Sequence, residues 1–133
     1  MTISLSQANE AIAAAIQTAE KMNIRISVSV CDAGGQLLAF SRMDGAGWAT
    51  IYGAHGKAVT SAATGSPSGR IPADLPVMQR TNELSGNRMV YSQGAVPIVV
   101  DEQLVGAIGV GGGTAKQDEE CAMAGAMRLD CQA

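Results

Sequence analysis

The chain contains one histidine, His55. Any side chain that shuttles protons near neutral pH, and any imidazole that ligates a metal, must therefore be this residue. Helical spacing places His55 on one face with Ile51 and Val59, which leaves two interpretations open. It is either a packed histidine bonded to the backbone, or a pocket residue that acts as a ligand to haem iron or as a general base. A histidine-rich zinc site is excluded by the count, and covalent c-type haem attachment by the lack of CxxCH.

Lys57 follows His55 by two residues. A helical step of about 100° per residue puts their side chains about 200° apart, so both cannot point straight into one pocket. Position alone favours a solvated lysine. The alternative is that one of the two serves a pocket while the other meets solvent or a neighbouring subunit. Gly53 and Gly56 lie one turn apart on the same helix and leave one side bare, where another helix or a flat ligand could approach.

Two loops carry candidate anion-binding groups. Arg42 and Asp44 stand at the exit of a predicted strand, where Arg42 can pair with a ligand carboxylate or with Asp44 inside the turn. Gly111 and Gly112 precede a predicted helix, as in a phosphate-cradling loop. The segment GVGGGT lacks the spacings of GxGxxG and of a Walker loop, so backbone turning is the better explanation and carboxylate binding the alternative.

Composition limits the function classes. The 133 residues, 47% of them hydrophobic, predict a single domain over 1–133. The net charge is −3 with no basic stripe and 3% aromatic residues, which argues against a nucleic-acid partner. No apolar run approaches the roughly 20 residues of a membrane span, and MTISLSQANE lacks the pattern of a signal peptide. Three cysteines outside CxxC spacing indicate a reducing compartment, so we expect a cytoplasmic protein: Cys31, Cys121 and Cys131.

Hydrophobic periodicity predicts an α+β domain, an antiparallel sheet covered by helices. Ser6 is the predicted N-cap of the first helix. The expected order is helix, hairpin, helix, proline-rich loop, short helix, hairpin and helix, over 6–22, 25–42, 48–63, 64–76, 75–84, 95–110 and 114–129.

Three stretches together carry a family resemblance: VSVCDAGGQLLAFSRMDGA, HGKAVTSA and GAVPIVVDEQLVGAIGVGGGT. They resemble the GlcG/HbpS family of haem-binding-like proteins, whose domain also forms the C-terminal part of PduO proteins. The resemblance covers almost the whole chain in the right order. It places Arg42, Asp44, Lys57 and Thr60 at matching motif positions. Cys31 stands where a valine is usual.

The resemblance implies a profilin-like α+β fold with a five-stranded antiparallel sheet and flanking helices, assembled into homo-oligomers. Some members bind haem, and others belong to gene sets for glycolate, propanediol or aromatic-compound catabolism. Axial haem ligands differ between members, so His55 as iron ligand rests on its chemistry. Met43 or Lys57 of a neighbouring subunit is an alternative ligand.

Three functions are therefore expected in order of preference. The first is binding of a small ligand, haem or a related tetrapyrrole, with Arg42 meeting a propionate. The second is a cytosolic enzyme acting on a small carboxylate by deamination, isomerisation or a lyase reaction. There His55 or Lys57 moves the proton, and Arg42 with the amides of Gly111–Gly113 holds the carboxylate. The third is a chaperone-like or scaffold subunit. Apart from haem, no cofactor is expected.

Overall fold

The computed structural model describes residues 2–130, so Cys131 lies outside the described residues. Four helices and four strands follow the predicted order. The helices are α1 (Leu5–Lys21), α2 (Ala49–Thr64), α3 (Pro76–Leu84) and α4 (Ala115–Asp130), and the strands are β1 (Ser27–Asp32), β2 (Leu37–Arg42), β3 (Ala95–Val100) and β4 (Gln103–Gly111). A short 3-10 turn, Ser68–Arg70, follows α2. The α+β expectation is confirmed.

The sheet runs β2-β1-β4-β3, and all neighbouring strands are antiparallel. The expectation of five strands is wrong for residues 2–130, where the sheet has four. The stretch between α2 and β3 holds three of the four prolines, Pro67, Pro72 and Pro76. Proline lacks the N–H that a strand ladder needs, and this stretch forms the 3-10 turn and α3 instead.

The two faces of the sheet differ in side-chain size. One face presents Val28, Val30, Ile108 and Val110, which pack with α1 and α4 in the main core. The other face, which α2 covers, presents small residues: Ser27, Ser29, Ala107, Gly109 and Gly111. Alternation along β1 and β4 thus separates a bulky core face from a small-residue face.

Gly109 shows how closely α2 lies on the small-residue face. A Cβ at this position would overlap the carbonyl oxygen of Ala54 and lie 2.7 Å from the nitrogen of Ala58, both in the backbone of α2. Only glycine permits such an approach between helix and strand. The backbone of α2 therefore lies close to the sheet, and the side chains on the flanks of this helix begin near the strands.

Local hydrogen bonds define where the elements begin and turn. Ser4, not Ser6, caps α1: its Oγ accepts from the nitrogen of Gln7 at 3.1 Å, and Gln7 Oε1 accepts from the nitrogen of Ser4. The reason is the Ser-x-x-Gln spacing, which lets both groups be satisfied together. The turn between β3 and β4 puts Asp101 and Glu102 at φ 52° and 65°, a left-handed conformation.

Candidate functional site

A cleft of about 360 Å³ lies between α2, β2 and the segment that follows α3. Its walls are largely apolar, with two aromatic rings, and its polar groups are an imidazole, an amide and a guanidinium. The lining residues are Leu37, Phe40, Ile51, Tyr52, His55, Gly56, Asn87, Arg88 and Val90. An apolar cleft with a few convergent polar groups is the usual form of a small-molecule site, and this one is at the lower end of the size range.

His55 is half-buried in this cleft, and a hydrogen bond to a residue of β1 holds its ring in place. Its Nδ1 lies 2.9 Å from the Oγ of Ser29, which is fully buried. Burial lowers the pKa of His55 below its ordinary value of 6.5, and the positive charge of Arg88 lowers it further. His55 is therefore neutral at neutral pH, which is the form that can ligate a metal or accept a proton.

Arg88 is a cleft residue that sequence analysis missed. Its Nη2 donates a hydrogen bond to the carbonyl oxygen of Gly35 in the turn between β1 and β2. It follows Gly86 and Asn87, which adopt φ 91° and 58° and reverse the chain after α3. The sequence signal was a Gly-Asn turn before an arginine, but only the packed chain shows that Arg88 and His55 line the same cleft.

Lys57 lies on the other side of α2, away from the cleft. Its Nζ donates to the carbonyl oxygen of Val110 at 2.9 Å and to Oδ2 of Asp118 on α4 at 3.2 Å. The residue is only 8% exposed, so the expectation of a solvated lysine is wrong. The predicted angular separation from His55 is confirmed, because Lys57 contacts β4 and α4 while His55 contacts β1.

Asp118, the partner of Lys57, is buried as well. Burial raises the pKa of its carboxyl group, and the N–H of Gly113 and the charge of Lys57 oppose that rise. Oδ1 of Asp118 accepts from the nitrogen of Gly113 at 2.8 Å. The carboxylate of Asp118 thus links the start of α4 to α2. The charges of Lys57 and Asp118 therefore have a structural role.

Thr60, the other matched motif residue on α2, holds the cleft wall in place. Its Oγ1 accepts from the nitrogen of Val90 at 3.0 Å and lies 2.9 Å from the carbonyl oxygen of that residue. Gly56 lets Val90 sit directly on α2, since a Cβ there would overlap the Val90 side chain. The bare side of the helix is therefore filled by Val90 at Gly56, and it is open only at Gly53, where a Cβ would meet nothing within 4 Å.

The predicted anion-binding residues lie outside the cleft. Arg42 is exposed, and its Nη1 donates to the carbonyl oxygen of Ala46 at 2.8 Å; Asp44 is exposed in the same turn. A Cβ on Gly111 would lie 3.0 Å from the carbonyl oxygen of Thr50, and Gly112, at φ 129°, lies against the backbone of residue 25. The glycines thus serve backbone turning and close packing.

The two described thiols are buried, and the charge of Arg88, which acts to lower the pKa of Cys31, does not offset the effect of that burial. Burial raises the pKa of Cys31 to about 12 and that of Cys121 to about 11. Such thiols are inert, as expected for Cys31.

Among residues 2–130 no three His, Cys, Asp or Glu side chains lie together as a metal site. No helix in this range is long and apolar enough to cross a bilayer.

The sequence and the fold of this chain are similar to those of known proteins. Residues 3–127 match a protein family described as "Haem degrading protein HbpS-like". Protein GlcG of Escherichia coli strain K12 is 38% identical over 108 residues, which cover 81% of this chain and 80% of GlcG.

Two solved structures share the fold. A double mutant of Streptomyces reticuli HbpS is 30% identical, with a TM-score of 0.84 over 97% of this chain and 88% of that one. The PduOC–heme complex has the same TM-score at 22% identity, over 96% of this chain and 95% of that one. The family match over nearly the whole chain and the identity to GlcG agree with the resemblance that the motifs gave: the chain belongs to the HbpS-like family.

Proposed function

We propose that the cleft beside α2 binds a flat ligand of the tetrapyrrole class, haem among them. The observation that carries the proposal is the position of His55, the one imidazole of the chain, between aromatic and apolar walls with Arg88 beside it. The family description, which refers to haem, supports the same ligand class.

The residues present fit such a group. Nδ1 of His55 is engaged by Ser29, which leaves Nε2 toward the cleft as the candidate iron ligand. Phe40 and Tyr52 line the cleft with aromatic rings that could pack against a flat ligand, and the guanidinium of Arg88 suits a propionate. Bound haem would supply redox chemistry, and these side chains would bind and orient it. Arg88 takes the role that Arg42 was predicted to have.

A second candidate, an enzyme acting on a small carboxylate, is favoured by the same two polar residues. Arg88 would hold the carboxylate and His55 would move the proton. Lys57 is held by Val110 and Asp118 on the far side of α2, so the acid–base role falls to His55 alone. A catabolic gene set and a cytoplasmic location remain predictions. A scaffold subunit is the third alternative.

We also propose that the chain forms a homo-oligomer. Trp48, the N-cap residue of α2, and Tyr52 in the first turns of that helix are 72% and 68% exposed, with ring centroids 6.1 Å apart in an edge-to-face pair. Leu37, at the lip of the same cleft, is 53% exposed. Exposed apolar groups gathered in this way are typical of interaction sites. Sedimentation that shows a monomer at working concentration would refute the oligomer.

A haem titration of the purified protein, followed in the Soret region, tests the ligand. We expect one-to-one binding that is lost in His55→Ala and weakened in Arg88→Ala. Arg42→Ala is the matched control, because this arginine bonds to its own turn outside the cleft, and it should bind as the unmodified protein does.

Three other outcomes change the proposal. Binding that survives His55→Ala moves the iron ligand elsewhere, for example to Met43 of a neighbouring subunit, since Lys57 is buried and held by Val110 and Asp118. No specific binding retires haem as the ligand; turnover of a small carboxylate that His55→Ala abolishes would then favour the enzyme. If a variant that lacks both His55 and Arg88 keeps its activity and its function with partners, the scaffold role is the one that remains.

A further inference from the structure

Ser29 lies beneath His55 in the middle of the sheet. It belongs to β1, which pairs with β2 on one side and β4 on the other, and its side chain is fully buried under α2. The contact of its Oγ with Nδ1 of His55, at 2.9 Å, is the only hydrogen bond of that hydroxyl within residues 2–130. The Ser29 hydroxyl and Nδ1 of His55 must therefore be each other's hydrogen-bond partner.

Two hydrogen-bond directions fit a distance of 2.9 Å, and they differ in what they leave unsatisfied. If Nδ1–H of His55 donated to Ser29, the hydroxyl proton of Ser29 would be buried with no acceptor. If the hydroxyl donates to an unprotonated Nδ1, both buried groups are satisfied. Buried polar groups in folded proteins are nearly always hydrogen-bonded, so the second direction is favoured.

We propose that Ser29 is a positioning residue: its hydroxyl donates to Nδ1 of His55 and thereby keeps the imidazole proton on Nε2, facing the cleft. The ligand-free cleft then presents two hydrogen-bond donors, Nε2–H of His55 and the guanidinium of Arg88, between apolar walls. That combination recognises a carboxylate carried on an apolar or aromatic body.

The inference deepens the proposed function and rests on it only for its consequence at the iron. An iron ligand needs a lone pair on Nε2, so ligation requires the proton to move to Nδ1 and the Ser29 hydroxyl to turn and accept it. Ser29 thus governs which of the two ligand types the cleft favours: a carboxylate by donation from Nε2, or a metal by the lone pair.

Nitrogen-15 NMR of the histidine-labelled, ligand-free protein tests the assignment directly. The chain has one histidine, so one imidazole gives all the side-chain signals. At a pH where His55 is neutral, we expect a protonated, pyrrole-type Nε2 and an unprotonated, pyridine-type Nδ1. The reverse pattern, with the proton on Nδ1, would overturn the proposal without any variant being made.

Ser29→Ala tests whether the serine is responsible, and Ser27→Ala is its matched control. Ser27 is equally buried on the same face of β1, but its Oγ contacts Oγ1 of Thr50 at 2.8 Å and not the imidazole. In Ser29→Ala the Nδ1 resonance should move to the position of a pyridine-type nitrogen without a donor, and in Ser27→Ala it should not move. An Nδ1 resonance unchanged in Ser29→Ala contradicts the proposal.

Benzoate, an aromatic carboxylate, probes the donor site, with benzyl alcohol as the neutral control. We expect benzoate to bind in preference to benzyl alcohol, and to bind about 2- to 10-fold more weakly in Ser29→Ala, the loss typical of one hydrogen bond. Benzoate that binds no better than benzyl alcohol overturns the donor site. Displacement of benzoate by iron-free protoporphyrin IX would identify a tetrapyrrole carboxylate as the source, and binding without displacement a free small carboxylate. Failure of the haem titration alone would refute the haem ligand and leave the tautomer result untouched.

Discussion

His55 and Lys57, two residues apart on α2, contact different neighbours of that helix. Nδ1 of His55 lies 2.9 Å from Ser29 on β1, and Nζ of Lys57 lies 2.9 Å from the carbonyl oxygen of Val110 on β4. One helix therefore supplies the cleft with its imidazole and anchors itself to the sheet and α4 through a buried ammonium group. Function and stability are divided between two adjacent positions, so substitutions there should separate them.

Lys57→Met should lower the free energy of unfolding by about 3–5 kcal/mol, because removing one member of a buried ion pair leaves the other charge uncompensated. Denaturant unfolding measures this loss. Asp118→Asn keeps an oxygen for the Gly113 N–H, and the double variant should recover part of the loss. Additive effects of the two substitutions would show that the pair contributes no coupling.

Gly53→Ala and Gly56→Ala form a matched pair on α2. A Cβ at Gly53 meets no atom within 4 Å, so alanine should raise the free energy of unfolding by about 0.5–1 kcal/mol through its helix propensity. A Cβ at Gly56 overlaps the side chain of Val90, so alanine should cost about 1–3 kcal/mol and displace that cleft wall. Denaturant unfolding with ligand binding measures both, and equal stability of the two variants would contradict the packing described.

The lowered pKa of His55 predicts a pH dependence of stability. Below its ordinary value of 6.5 the unfolded chain protonates His55 more readily than the folded chain does. Its contribution to the free energy of unfolding is therefore present above that value and is lost as pH falls toward the folded pKa. Thermal unfolding between about pH 7.5 and about pH 5.5 should show a larger fall in Tm for the unmodified protein than for His55→Gln. An identical fall in both would show that His55 titrates alike in the folded and unfolded states.

The turn between β3 and β4 predicts a stabilising change. Asp101 and Glu102 both have positive φ, a conformation that costs a residue with a side chain roughly 1 kcal/mol. Replacing the pair by Asn-Gly, the preferred sequence for such hairpin turns, should raise the free energy of unfolding by about 1 kcal/mol. Equilibrium unfolding in urea checks this. Gln103→Gly, a substitution within strand β4, serves as the control and should lower the free energy of unfolding instead.

The order of elements was available from the sequence because it depends on local patterns. Alternation in β1 and β4, helical spacing in α1 and α2, and the glycine-rich turns each follow from a short stretch of chain. The opposite directions of His55 and Lys57 were equally local, since the helical repeat fixes them. The motifs also identified the family, as the match over residues 3–127 confirms.

Tertiary structure decided the rest, because those features join residues far apart in sequence. The burial of Lys57 depends on Asp118, 61 positions away, and the cleft depends on Arg88 reaching the turn at Gly35, 53 positions away. No local pattern encodes such pairings. The sequence determined which residue could do chemistry; the packing of α2 against the sheet decided that His55 faces a cleft while Lys57 is enclosed, because the small residues of β4 bring the helix close enough for both contacts.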